Sequence, residues 1–217
     1  MPPPMAKPSF DGHRLALHRA ACTVAKDCLN GAAATASAEA EGEGPAEEIA
    51  ITADGTWMCR GFTSLFGVFT AISWATGQIV DVTVLLKFCA QCAHWRRRVE
   101  KGKITAEEYQ AFKTRHTESC NVNTQQSSPG MESEGILTLF QRSEEERGLV
   151  YQTYIGDGDS KDFAAVRDAA PYGPHRAVTK EECIGHVQKR VGSKLRALKK
   201  DLKGKNSPMG RSVAKEG

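Results

Sequence analysis

Ile49-Ala50-Ile51-Thr52-Ala53-Asp54-Gly55-Thr56-Trp57 is an apolar, β-branched run carrying one carboxylate near its end, and it reads as a strand closed by an aspartate. A second such run, 149–155, leads into Gly156-Asp157-Gly158-Asp159-Ser160, and places Asp157 103 residues after Asp54. Two strand-end carboxylates separated by a long insertion point to a divalent-metal site for phosphoryl chemistry. Magnesium and manganese need hard oxygen ligands and open water positions. Read alone, Asp54-Gly55 is also a strong hairpin-turn dipeptide. Read alone, Gly-Asp-Gly-Asp is a strand-to-helix turn with Asp159 or Ser160 as the cap. An EF-hand loop does not fit, because Lys161 takes the fifth position and the later Gly is absent. Asp157 directly follows its strand and is the candidate ligand, with Asp159 as alternate.

Outward from these two runs, 64–74 and 78–87 are further strands, the second after a Thr76-Gly77 turn. Short links make the first three strands an antiparallel meander. Residues 131–147 predict a helix with Ile136, Leu139 and Phe140 as its core stripe, and 161–169 a short helix stopped before Pro171. A short fifth strand is expected near Val178. Residues 181–203 predict a long helix with Val187, Val191, Leu195, Leu198 and Leu202 facing the core. Residues 1–10, with four prolines, predict a disordered arm; 11–37 a helix with Leu17, Ala21, Val24 and Cys28 on one face; 38–45 a linker; and 204–217 a disordered tail. The order is three strands, an insertion at about 88–130, helix, strand, helix, short strand, helix. It predicts an α/β domain over 46–203: an RNase H-like mixed sheet flanked by helices, with a zinc-type insertion after the third strand.

That insertion holds Cys89-x2-Cys92 and His116-x3-Cys120 around a charged helical piece at 105–115. Two short-spaced soft-ligand pairs suit tetrahedral zinc, and four protein ligands leave no open position, so the role would be structural. His94 could replace one member, and buried thiols beside a solvated histidine would give the same spacing. Cys183-x2-His186 shares one helical face but is too small to hold zinc alone.

Net charge is only +3, so bulk charge does not assign a nucleic-acid partner. Its distribution is more informative: residues 186–211 contain nine Lys or Arg and one acid. Lys189, Arg190, Lys194, Arg196, Lys199, Lys200 and Lys203 would face phosphates, or simply solvent. The odd count of seven cysteines, with no signal-peptide pattern, points to thiols or metal ligands in a reducing compartment. No run approaches the ~18 apolar residues of a membrane span.

Asp54-Gly55-Thr56-Trp57 with Arg60-Gly61-Phe62, Phe88-Cys89-Ala90-Gln91-Cys92, Ser127-Ser128-Pro129-Gly130-Met131-Glu132, Gly156-Asp157-Gly158-Asp159-Ser160-Lys161, Pro171-Tyr172-Gly173-Pro174 and Glu182-Cys183-Ile184-Gly185-His186-Val187-Gln188-Lys189-Arg190 occur here in one order. Together they resemble the Mutator-like transposase domain. The resemblance implies an RNase H-like core that cuts and joins DNA with two magnesium or manganese ions, a nuclear location, and a possible homo-oligomer. It implies an Asp-Asp-Glu triad with Asp54 first and Asp157 second, roughly 4–8 Å apart. It also gives Cys183 and His186 as the CxxH motif. The family places its last Glu beyond an inserted helical region, whereas this chain ends at Gly217 and Glu216 sits in a Gly/Ser/Lys-rich tail. The polar loop also departs, reading Asn121-Val122-Asn123-Thr124 where relatives often carry a His. The expectation is a truncated or remnant transposase that retains DNA binding. The rival is a non-catalytic, zinc-containing DNA-binding or interaction module. A small RNase H-like nuclease is disfavoured by the long insertion.

Overall fold

The computed structural model describes residues 6–40, 47–59, 63–156 and 161–202. The elements in chain order are α1 (Lys7–Ala40), β1 (Glu48–Trp57), β2 (Phe66–Ser73), β3 (Ile79–Leu86), α2 (Ala90–Glu100), α3 (Ala106–His116), α4 (Ser128–Arg147), β4 (Val150–Gly156), α5 (Lys161–Ala169), β5 (Thr179–Glu182) and α6 (Ile184–Asp201). The strands form one mixed sheet in the order β3-β2-β1-β4-β5. β1–β2 and β2–β3 are antiparallel, as the short links predict, while β1–β4 and β4–β5 are parallel.

α1 differs from its prediction at both ends. It begins at Lys7 inside the expected arm, because Pro8 in a first turn lacks only an N–H that the helix does not use. It also runs on to Ala40, into the expected linker. Only Ala32, Ala33 and Ala36 are buried, and Leu17 and Val24 are exposed, so the stripe read from their spacing does not reach the core. The rest of the arm, the rest of the linker and the tail lie outside the described residues.

β2 buries every second residue, the mark of a strand with one face on the core. α4 covers that face. Ser127 caps it by accepting the Gly130 N–H, and Gly148 ends it in the left-handed conformation (φ 64°), returning its N–H to Glu144. The predicted stripe of Ile136, Leu139 and Phe140 is buried. α4 comes unusually close to β2 at Gly135, where a Cβ would stand 2.2 Å from Cδ2 of Phe69. The Phe69 ring, fully buried, also fills the space above Gly55 and Gly67 and meets Trp57 edge-on at 5.4 Å. Three glycines therefore leave the room that one phenylalanine occupies.

Asp81 of β3, passed over in the sequence, is wholly buried. Arg142 Nε and Nη2 and Arg147 Nη2, all from α4, donate to its carboxylate at 2.9 Å. A buried carboxylate needs such partners, and here they fix α4 to the edge strand.

The registers bring several chain ends to one edge of the sheet. Trp57 pairs with Gly67, Phe66 with Leu86, and Gly156 with Glu182. The carboxyl ends of β1, β3, β4 and β5 thus lie together. From that edge start the α2–α3 insertion, α4 (whose Ser128 hydroxyl donates to Ser64 O at 3.3 Å) and α6. α6 contradicts its prediction in two respects: it begins at Ile184, since 181–182 pair in β5, and its apolar stripe does not face the core. None of its described side chains is buried, and Val191, Leu195 and Leu198 are exposed. Periodicity identified an apolar face but not what covers it. No helix among the described residues is long and apolar enough to cross a membrane.

Candidate metal centre and carboxylate site

Cys89, Cys92, His116 and Cys120 converge, with all four ligand atoms within 4.8 Å of one another. The sequence folds this way because Cys89 caps α2 and Cys92 sits in its first turn, while His116 ends α3 and Cys120 follows a short 3-10 turn, Thr117–Ser119. α2 was not foreseen. α3 was, and a Thr105–Glu108 capping box starts it. Cys92 Sγ and Cys120 Sγ are 3.7 Å apart, against ~3.8 Å for the edge of a tetrahedron with zinc–sulfur bonds of about 2.3 Å. Cys89 Sγ lies 3.1 Å from His116 Nε2, and the Ser119 hydroxyl is 2.9 Å from Nδ1. A partner on Nδ1 orients the ring and leaves Nε2 for a metal. Burial pushes the Cys89 thiol up. The Cys92 N–H, the His116 imidazole and the N–H groups of Asn121 and Gln91 outweigh it and bring Cys89 down to about 6. Burial, then the neighbouring Cys120 and Cys89, push Cys92 up to about 11. Soft, crowded, chemically matched donors make this a Cys3His cluster able to hold a metal such as zinc. His94 is exposed and takes no part in the cluster.

The insertion's own core is small. Trp95 stacks on Phe112 at 4.5 Å, and Phe112 on His116 at 4.9 Å. The polar loop behind it is tied to the edge strand: Asn123 accepts the Leu86 N–H at 2.6 Å and donates to Val84 O at 2.8 Å.

Asp54 is neither in a turn nor at a strand terminus. Its residue pairs with Thr70 inside β1, which corrects both the loop and the hairpin-turn readings. The pairing of β1 with β4 stops earlier, at Ile51 with Tyr154. Asp54 therefore lies beyond the last β1–β4 pair, with its side chain exposed. Glu132 of α4 reaches β1 from the Phe69 side, with Oε1 3.7 Å from where a Cβ on Gly55 would stand, whereas Asp54, one residue earlier and paired with Thr70, points to the other face of the sheet. Burial, then Asp162 and Asp54, hold Glu132 above the ordinary carboxylate range. Asp162, in the first turn of α5, accepts from the Ser133 hydroxyl at 2.7 Å. Glu132 of α4 and Asp162 of α5 are thus neighbours, and Asp54 lies across β1 from them. Their oxygens do not close into a ligand set; among the described residues only the Cys3His group does. Sequence reading missed the Glu132–Asp162 pair. The available signal was an acid in the second turn of the helix that covers β2 and β3.

Asp157, with its predicted approach to Asp54, and Asp159 lie outside the described residues. Cys183 caps α6 and is half-buried; His186 belongs to α6, and its side chain is outside the described residues. Lys189, Lys194, Lys199 and Lys200 are exposed. Arg190 is ion-paired with Glu182, and Arg196 donates to the Ser193 hydroxyl at 3.2 Å. Lys203 falls outside the described residues.

A family model for Mutator-like transposases matches residues 1–216. The chain belongs to this family. No curated protein and no solved structure matches it. As a Mutator-like transposase domain, the chain is transposase-derived, and the α/β sheet flanked by helices and the Cys3His cluster are features of that domain in this protein.

Proposed function

We propose that this Mutator-like transposase chain is a nuclear, DNA-binding protein on an RNase H-like core, with a divalent-metal site for strand cleavage at Asp54. The observation that carries the reading is the parallel pairing of β1 with β4, which ends at Ile51 with Tyr154 and leaves Asp54 exposed beyond it. The register supports Asp157 as the second ligand, since Asp54 and Asp157 each follow the Ile51–Tyr154 pair by three residues. Crevices at the carboxyl ends of parallel strands are where open α/β sheets bind ligands. Magnesium or manganese fits this donor set of hard oxygens; when bound it lowers the pKa of its water and offsets charge on the scissile phosphate. Asp54 and Asp157 would hold the ion, Asp162 keeps Ser133 and the α4–α5 contact in place, and α6 presents lysines to the DNA backbone. Zinc in the Cys3His cluster has a structural role, because all four positions are filled by protein.

The test is nicking of supercoiled plasmid by the zinc-loaded 217-residue chain. Magnesium-dependent nicking that Asp54→Asn and Asp157→Asn each abolish supports the reading. Absence of nicking by the wild type, or nicking unchanged in Asp54→Asn, rejects it. The second reading, a non-catalytic zinc-containing DNA-binding module, is favoured by the fact that only the Cys3His ligands converge among the described residues. DNA binding without nicking would establish it.

A further inference from the structure

The cations on the outer side of α2 are not used by the reading above. Of the eight residues 96–103, five are Lys or Arg and one, Glu100, is acidic. Cys92, Trp95 and Val99 form the inner face of α2, with Trp95 stacked on Phe112 of α3. His94, Arg97, Arg98 and Lys101 follow at steps of three and four and share another face. Arg96, Arg97, Lys101 and Lys103 are exposed, and none is ion-paired to a described residue. Arg98 is held in place, its guanidinium 5.0 Å from the centre of the Trp95 ring.

A solvated helix face normally alternates charge signs along steps of four. Here Arg97 is followed at that step by Lys101, a like-charge pair that destabilises an isolated helix. Such a face is relieved by an anionic partner. Its position also matters. α2 leaves the sheet at the end of β3, the edge from which α6 also leaves and near which Asp54 and Glu132 lie. Two cationic helices thus depart from the edge that carries the carboxylates.

We infer that the face of α2 carrying Arg97, Arg98 and Lys101, with Arg96 at its border and Lys103 in the turn that follows, is a docking surface for the phosphate backbone of duplex DNA, separate from α6. The nature of the polyanion rests on the DNA reading above. The backbone is favoured over bases because the face offers no free aromatic platform: Trp95 is half-buried against Phe112. Phosphate contacts position a protein on DNA without reading sequence, so this surface binds duplexes of any sequence alike. A metal in the Cys3His cluster would tie the roots of α2 and α3 together and so hold the face in one orientation to α3.

The experiment is a fluorescence-anisotropy titration of a random-sequence duplex with the full zinc-loaded chain, across roughly 50–200 mM salt. Arg96→Gln, Arg97→Gln, Lys101→Gln and Lys103→Gln are combined in one variant, and Lys194→Gln, Lys199→Gln and Lys200→Gln in another. The α2 variant should keep its zinc and its circular dichroism. It should lose about tenfold or more in affinity at low salt, with a log–log salt slope shallower by about 2–4, because each lost phosphate contact removes ~0.9. Arg96→Lys with Arg97→Lys should bind as the wild type does. An α2 variant with wild-type affinity and slope, beside an α6 variant that loses both, overturns this inference and leaves the DNA reading standing. A wild type that binds no duplex overturns both. Equal loss of affinity for polyglutamate and for duplex would assign the face to acidic polypeptides and overturn the DNA assignment.

Discussion

The sheet and the hairpin inserted after β3 are held together by different means. In the sheet, Phe69 fills the space left by Gly55, Gly67 and Gly135, and Asp81 is clamped by two arginines of α4. In the hairpin, a few rings and four ligand atoms carry two helices whose outer residues are nearly all polar. The sheet's stability comes from apolar burial and therefore needs no ion. The hairpin buries little of its own, and a metal in the Cys3His cluster would supply the order that burial does not, as in small metal-bound units. The contrast predicts a rigid base with a metal-dependent appendage.

The largest expected effect lies in the sheet. Phe69→Ala should cost about 3–5 kcal/mol in denaturant unfolding, because the ring's site is bounded by glycines that offer no side chain to refill it. A cost below about 1 kcal/mol would show that the site collapses and that the three-glycine cradle is not what fixes α4.

Next comes the hairpin. Zinc removal, or Cys92→Ser, should abolish amide-exchange protection across 90–120 while leaving 49–57 protected. Loss of protection in both regions together would break the comparison, since it would make the metal part of the sheet's own stability.

A smaller effect concerns Glu132. Its folded-state pKa is raised, by burial first and then by Asp162 and Asp54. Ionising it therefore costs the folded state, and the cost sets in as pH rises through that raised value. Below the ordinary glutamate range the cost is absent. Glu132→Gln should accordingly raise the melting midpoint at neutral pH and leave it unchanged in acid. A shift of equal size at both pH values would mean that Glu132 acts through packing instead of charge.

The sequence disclosed β1 to β4 and α4 because β-branched runs and a three-four apolar spacing are dictated by burial on one face; β5, a polar edge strand, was expected only near Val178. The Cys/His cluster was legible for a different reason: ligand pairs close in sequence are close in space whatever lies between them. α2 was not legible, since its polar, arginine-rich residues follow a Cys pair and carry almost no apolar period. Asp81 left a signal that was not used, a lone acid inside the apolar run of β3, which demands a buried cation. Glu132 could not be placed without the register of α4 on β1 and β2. α6 was misjudged because its period is real but its apolar face is open.

Manganese titrated into zinc-loaded protein, with the free ion followed by its paramagnetic resonance signal, tests most directly whether Asp54 and Asp157 hold one divalent cation. Binding should be saturable, and Asp54→Asn and Asp157→Asn should each weaken it while Cys3His zinc content stays constant. Manganese affinity that is the same in the wild type and in both variants would contradict that site.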